Sequence, residues 1–136
     1  MKTHKDLKVW KDSITLAKDI YELTATYPVH ERFGISQQMR RAAVSIASNI
    51  SEGAARQGEK EYIRFLYIAA GSTSELYTQL EISKLIGFGN EEARLLVTNK
   101  TVNVARMLRA LIRSMKLRGR KAGIKSTNHE SPITNH

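Results

Sequence analysis

The most informative absence from this 136-residue sequence is cysteine, of which there is none. A disulfide framework, a cysteine-ligated zinc site and a thiol nucleophile are therefore excluded. No apolar run approaches the roughly 18 to 20 residues that span a bilayer. The charged N-terminal segment also lacks the apolar stretch of a secretory signal. These absences predict a soluble cytoplasmic protein without a membrane partner.

Motifs for catalysis and cofactor binding are missing as well. Three of the four histidines lie near the chain ends, and no predicted helix carries the histidine spacing of a metal site. Neither a GxxxxGK[ST] phosphate-binding loop nor a dinucleotide fingerprint occurs. An enzyme would have to rely on a carboxylate pair among Glu52, Glu75 and Glu81, and helical glutamates are mostly solvated or salt-bridged. We expect neither an enzymatic activity nor a metal or other cofactor.

Proline is scarce, with two residues, and no segment alternates like a β-strand. Four segments instead repeat apolar residues with helical spacing. They cover about residues 7–26, 35–56, 59–86 and 91–116. Pro28 ends the first helix, Ser36 is a candidate N-cap for the second, and Asn90 caps the fourth ahead of two glutamates.

Short connections between these segments favour antiparallel neighbours. The sequence therefore predicts one all-α domain, an up-down-up-down antiparallel four-helix bundle over residues 1–116. A basic, flexible C-terminal tail follows over residues 117–136. The first helix has two apolar stripes, which together cover roughly 200° where a surface helix needs about 100°. This surplus indicates burial against its own bundle and a second surface, or a position deep in the core of one chain.

The segment MRRAAVSIASNISEGAAR, residues 39–56, is rich in small and polar residues. Close helix packing is predicted at Ala42, Ala43, Gly71 and Ser72. A structural polar network between helices is predicted to contain Arg40, Arg41, Asn49, Glu52 and Glu75. A surface ligand site at Arg40 and Arg41 is the second interpretation. Asn49 begins a formal glycosylation sequon, which a helix interior without a secretory signal does not support.

Positive charge is concentrated in the last third of the chain. The net charge is +9, and residues 93–136 carry ten Lys or Arg against one Glu. The predicted nucleic-acid-binding residues are Arg106, Arg109, Arg113, Lys116, Arg118, Arg120, Lys121 and Lys125. The first four are spaced by three, four and three residues, so they share one helix face. This pattern is typical of contact with RNA or DNA backbone phosphates, and a merely solubilising tail is the alternative. Because no aromatic residue follows Phe88, base stacking is not expected from this region.

Three motifs resemble a known family. Gln-x-Arg-Arg-Ala falls on residues 38–42, Ser-Ile-x-x-Asn-Ile-x-Glu-Gly on 45–53 and Gly-Ser-x-x-Glu-Leu on 71–76. Together they resemble the bacterial four-helix-bundle proteins encoded in intervening sequences of 23S ribosomal RNA genes. The resemblance covers roughly residues 7–111, with Ala47 in place of a frequent proline and Ala54 in place of a common aromatic residue.

The resemblance implies a homopentameric ring without enzymatic activity. It also implies kinship with the accessory variability determinant of diversity-generating retroelements, a basic pentamer that binds nucleic acid and a reverse transcriptase. A neighbouring subunit would then cover part of the wide first helix. The predicted oligomer interface consists of Val9, Leu16, Ile20 and Leu23.

The resulting hypothesis is a non-enzymatic homo-oligomeric bundle that binds RNA or DNA through its fourth helix and its tail. The alternative is an assembly or adaptor protein for a protein partner such as a reverse transcriptase, in which the tail only solubilises.

Overall fold

The structure, a computed structural model, describes the backbone of residues 1–126 and the side chains of residues 1–121. Its helices are α1 (His4–Thr24), α2 (Ile35–Ala54), α3 (Glu59–Ile86) and α4 (Glu91–Ser126), with a short 3-10 helix, Val29–Glu31, between α1 and α2. Each helix packs against the next along the chain, and α4 packs back against α1. The predicted four helices and all-α class are confirmed for the described residues, and their packing is that of a four-helix bundle.

Of the two predicted helix N-caps, one is confirmed and one is wrong. The Asn90 side chain accepts a hydrogen bond from the backbone N–H of Ala93 at 2.9 Å, so the predicted cap of α4 is confirmed. Ser36 does not cap α2, because the helix begins one residue before it, at Ile35 after Gly34, and Ser36 is buried in the first turn. The carboxylate of Glu31 instead lies 3.5 Å from the backbone N–H of Ile35.

The core corrects the predicted oligomer interface. Val9, Leu16 and Ile20 are fully buried and Leu23 is 5% exposed, all within a single chain. The assignment of these four residues to a subunit interface is wrong, because the bundle has already removed them from solvent. The other stripe of α1 faces outward, and its Ile14 is 44% exposed.

The fourth helix is longer than its apolar pattern indicates. It continues to Ser126, so the predicted helix end at residue 116 and the flexible tail from residue 117 are wrong for residues 117–126. Helix propagation adds one backbone hydrogen bond per residue once a helix exists, and needs no apolar stripe. Met115 is the last buried side chain among those described. The eleven helical residues after it extend about 16 Å along the helix axis. Residues 127–136 lie outside the described part of the chain.

A buried carboxylate joins the start of α1 to α3. The side chain of Asp6, only 1% exposed, accepts hydrogen bonds from the backbone N–H groups of Lys2 and Thr3 at 2.9 and 2.7 Å. The hydroxyl of Tyr62 donates a third hydrogen bond at 3.0 Å. Burial alone would raise the pKa of Asp6, but these hydrogen bonds to the carboxylate outweigh it, and the pKa lies below the ordinary 3.8. Burial and the neighbouring Asp6 carboxylate raise the pKa of Tyr62.

Replacing Asp6 with asparagine is expected to reduce the acid sensitivity of the fold. Because the pKa of Asp6 is lower in the folded chain, the unfolded chain binds more protons at acid pH, and stability falls as pH drops below about 4. Asp6→Asn should lower the free energy of unfolding at pH 7 by about 1–3 kcal/mol through unsatisfied buried donors. It should also flatten the acid limb of a urea-denaturation series. Tyr62→Phe, which removes one of the hydrogen bonds, should give an intermediate slope. An unchanged acid limb in Asp6→Asn would contradict this assignment.

Candidate nucleic-acid interface

One face of α4 carries a row of exposed basic side chains. These are Arg106, Arg109, Arg113, Lys116 and Arg120, here called the basic strip. Their spacings of three, four, three and four residues keep them on one side of the helix, and the strip extends about 21 Å along the helix axis. Four of them were predicted to share a face, and the continued helix adds Arg120.

The other predicted basic residues do not belong to this strip. Arg118 lies about 200° around the helix from Lys116, and its guanidinium is 3.5 Å from the Glu59 carboxylate of α3. Lys121 is exposed, but it lies about 140° from Lys116. The side chain of Lys125 is outside the described residues. The eight predicted binding residues therefore do not form a single surface.

A hydroxyl-rich groove between α3 and α4 runs beside the strip. Its volume is about 290 Å³, and Arg109 lines one side. Five hydroxyl-bearing residues line it, namely Thr73, Ser74, Tyr77, Thr78 and Thr101. No carboxylate is among the lining residues. The hydroxyls of Thr73, Thr78 and Thr101 donate to backbone carbonyls of their own helices. Ser74, Tyr77 and Arg109 are exposed, and hydroxyls and arginine are groups that proteins use to contact phosphate and sugar. These three side chains extend the polar contact surface from α4 to α3.

Aromatic side chains from α3 reach this surface. The ammonium group of Lys116 donates a hydrogen bond to the Tyr67 hydroxyl and lies 4.9 Å from the Tyr67 ring centroid. Tyr67 is 50% exposed, and Tyr77 in the groove is 42% exposed. The sequence after Phe88 contains no aromatic residue, but the fold brings Tyr67 and Tyr77 of α3 to this surface. The sequence gives no signal for this contact, since 49 positions separate Tyr67 from Lys116.

The predicted network of five polar side chains does not form. The Nε of Arg40 donates to the Thr24 hydroxyl at 2.8 Å, and Asn49 bonds within α2 to Ser45. Glu52 pairs with Arg56 one turn along α2, at 2.8 Å. Glu75 likewise accepts a hydrogen bond within its own helix, from Gln79 at 3.3 Å. Arg41 is exposed. The prediction fails because Glu52 and Glu75 are exposed and pair with residues one turn along their own helices.

The small residues of α2 and α3 meet only in part as predicted. Ala42, Ala43 and Ser72 are buried, and the hydroxyls of Ser72 and Ser45 lie 2.9 Å apart across the two helices. Gly71 is exposed, and no atom lies within 4 Å of where its Cβ would stand. Its predicted close approach is therefore wrong.

The residue that requires a close approach is Gly53. An added Cβ would stand 2.7 Å from the Phe65 Cβ and 2.8 Å from the Tyr62 ring. The contact brings α2 and α3 together near the turn that joins them. Gly53 is the last residue of the Ser-Ile-x-x-Asn-Ile-x-Glu-Gly motif in α2, but the side chains closest to it belong to α3.

Comparison with known proteins agrees with the motifs. The family described as 23S rRNA-intervening sequence protein matches residues 5–110 of the chain. The chain belongs to this family. A solved structure from the S23 ribosomal protein family of Bacteroides thetaiotaomicron VPI-5482, a protein with unknown function, is 25% identical to it. It aligns with a TM-score of 0.72 over 80% of this chain and 98% of the other. No curated protein matches the sequence.

The family match covers only part of the interface. Within this 23S rRNA-intervening sequence family member, Arg106 and Arg109 lie in the matched segment, whereas Arg113, Lys116 and Arg120 follow it. The family match therefore does not cover the last three residues of the basic strip. No helix in residues 1–126 is long and apolar enough to cross a membrane.

Proposed function

We propose that this family member is a non-enzymatic cytoplasmic protein that binds the RNA or DNA backbone through the basic strip and the adjoining α3/α4 groove. The observation that carries the proposal is the absence of acidic partners along the strip. Within the described residues, no carboxylate forms an ion pair with any of its five cations. A row of cations without acidic partners keeps its charge available for a polyanion.

The expected mode of binding follows from the side chains present. Arginines contact phosphates strongly through their planar donor forks, while the hydroxyls of Ser74 and Tyr77 in the groove add weaker contacts to phosphate or sugar. The exposed rings of Tyr67 and Tyr77 offer stacking surfaces that accept any base. These contacts go to phosphate, to sugar and to the face of any base. Binding should therefore depend strongly on salt and weakly on nucleotide sequence.

A salt series tests this function directly. Fluorescent single-stranded RNA is titrated with the full chain at several salt concentrations. If each of the five strip cations neutralises one phosphate, log K should fall with log salt at a slope of about −3.5. A double-stranded RNA and a DNA of matched length show which nucleic acid is preferred. No binding at low salt would overturn the proposal and favour the adaptor alternative, in which the partner is a protein such as a reverse transcriptase.

Homo-oligomerisation, with a pentamer as the expected ring, would present several basic strips on one particle. Several weak contacts would then act together, which raises avidity without new contacts. The surface that suits a second copy is the outward stripe of α1. Trp10 and Ile14 border a groove of about 430 Å³ whose α2 side carries the small residues Ala47 and Ser48 together with Glu52. Small residues allow a neighbouring helix to approach closely.

Ile14→Glu is expected to dissociate this assembly. A carboxylate buried there by a second copy would lose its hydration, and it would lie in the same groove as the carboxylate of Glu52. Light scattering after size-exclusion chromatography should give a mass near that of one 15.4 kDa chain for the variant and a multiple of it for the wild type. Ile68→Glu on α3 is the matched control, since Ile68 is 41% exposed and should leave the mass unchanged. Loss of assembly only in the Ile68 variant would refute the choice of surface.

A further inference from the structure

A second basic site lies on the opposite side of the bundle from the basic strip. Here α1, the α1–α2 connection and α2 border an open surface cavity of about 570 Å³. Because α1 and α2 pack together on the side away from the α3/α4 contact, this cavity is separate from the groove described above. Three arginines, Arg32, Arg40 and Arg41, and two aromatic residues, Tyr21 and Phe33, line it.

The three arginines carry no acidic partner in the described part of the chain. None of the ion pairs found there includes Arg32, Arg40 or Arg41. The nearest acid along the chain, Glu31, is directed elsewhere. Its carboxylate lies 3.5 Å from the backbone N–H of Ile35 and 3.6 Å from His30. The cavity therefore holds a local excess of positive charge.

Two of the arginines are held in place by uncharged groups. The guanidinium of Arg40 lies 4.7 Å from the Tyr21 ring centroid, and its Nε donates to the Thr24 hydroxyl at 2.8 Å. These contacts occupy its Nε and leave its two terminal nitrogens as donors for a ligand. Arg32 lies 5.0 Å from the Phe33 ring centroid. An arginine that is positioned before binding loses less entropy when it binds an anion.

Aromatic surface remains available beside these charges. Phe33 is 78% exposed and Tyr21 is 47% exposed, so each ring keeps an open area although an arginine lies against it. A cavity of this size falls in the range of small-ligand sites, about 300–1,000 Å³. The combination suits a ligand with an anionic group at one end and a planar apolar group at the other.

We propose that this cavity binds a nucleotide, with its phosphate held by Arg32, Arg40 and Arg41 and its base stacked on Phe33. Arginine forks match phosphate geometry, and stacking on an aromatic ring accepts any base. The same chemistry is offered by a free nucleoside monophosphate and by the 5′-terminal nucleotide of a strand. The site is independent of nucleic-acid binding by the basic strip, so either assignment can fail without the other.

Calorimetric titration of the full chain with adenosine monophosphate tests the site. Arg32→Gln/Arg41→Gln is expected to lower the affinity at least tenfold, and both side chains are exposed, so the fold should survive. Phe33→Leu should lower it at least fivefold by removing the stacking surface. Adenosine, which lacks the phosphate, should bind at least tenfold more weakly than the monophosphate. Arg109→Gln/Arg113→Gln, which removes the same charge from the basic strip, should leave monophosphate binding unchanged.

Three results would overturn the proposal. The first is that the wild-type chain does not bind the monophosphate at millimolar concentration. The second is that Arg32→Gln/Arg41→Gln binds it as tightly as the wild type. The third is that Arg109→Gln/Arg113→Gln loses binding while Arg32→Gln/Arg41→Gln keeps it. Competition within the Arg109→Gln/Arg113→Gln background then separates the two ligand sources. Displacement by a 5′-phosphorylated oligonucleotide, but not by its unphosphorylated form, supports the site and identifies a strand end. Resistance to both oligonucleotides supports the site for the free nucleotide.

Discussion

Replacing Arg109 and Arg113 with glutamine should reduce both the affinity for single-stranded RNA and its dependence on salt. Each phosphate contact contributes about −0.7 to the slope of log K against log salt, so the slope should become shallower by about 1.4. At 0.1 M salt this change corresponds to an affinity loss of about 25-fold. Both side chains are exposed, so the effect should arise from lost phosphate contacts and not from unfolding. Fluorescence anisotropy over a salt series measures both quantities.

The matched control removes equal charge from other faces of the same helix. Arg118→Gln/Lys121→Gln changes the net charge by the same amount, but Arg118 is paired with Glu59 and neither residue lies on the basic strip. In this control, we expect the slope of log K against log salt to differ from the wild-type slope by less than half of the difference caused by Arg109→Gln/Arg113→Gln. Equal losses in the two double variants would mean that net charge, and not the strip, controls binding. That result would support a solubilising or nonspecific role for α4.

Gly53→Ala is expected to destabilise the bundle, even though alanine favours a helix. The new Cβ would stand 2.7 Å from the Phe65 Cβ, which is fixed to its backbone and cannot rotate away. Overpacking of this kind costs about 1–3 kcal/mol, and the gain in helix propensity offsets up to about 1 kcal/mol. The free energy of unfolding should therefore fall by about 1–2 kcal/mol. Urea denaturation at fixed protein concentration measures the change.

Gly71→Ala is the corresponding change at a glycine with open space around it. No atom lies within 4 Å of the added Cβ, so only the improved helix propensity should remain. The variant should gain up to about 1 kcal/mol of stability. Opposite signs at the two glycines would confirm that α2 and α3 approach closely at Gly53 and not at Gly71. Stabilisation by both substitutions would show that the helices can separate to accommodate a methyl group.

The two basic regions of the molecule differ in how their charge is held. The arginines of the basic strip are open to solvent along a helix that extends beyond the core, an arrangement suited to a long polyanion. In the α1/α2 cavity, Arg32 and Arg40 lie against aromatic rings, an arrangement suited to a single small anion. We therefore expect high salt to weaken RNA binding much more than nucleotide binding, because a strand that contacts several cations releases several counterions and a monophosphate releases few.

The local pattern of the sequence was enough to predict the four helices, the approximate ranges of the first three, the start of α4 and its exposed arginine face. A 3.6-residue period depends on neighbours within one helix, and the Asn90 cap depends on residues three positions apart. Such short-range relations are present in the chain before it folds. The same period could not tell which of the two apolar stripes of α1 faces the core. That choice depends on how the other three helices pack, and it left Val9 buried and Ile14 outward.

The composition of both candidate sites was decided by tertiary structure. Tyr67 lies beside Lys116, Asp6 bonds to Tyr62, and Arg40 rests on Tyr21, although these partners are 19 to 56 positions apart. Gly53 must be glycine because of two side chains on another helix, which no pattern within α2 reveals. The sequence by itself determined the elements and where their charge lies. Only packing of the helices determined which side chains meet, since contacts between helices depend on rotation and spacing that one helix cannot specify.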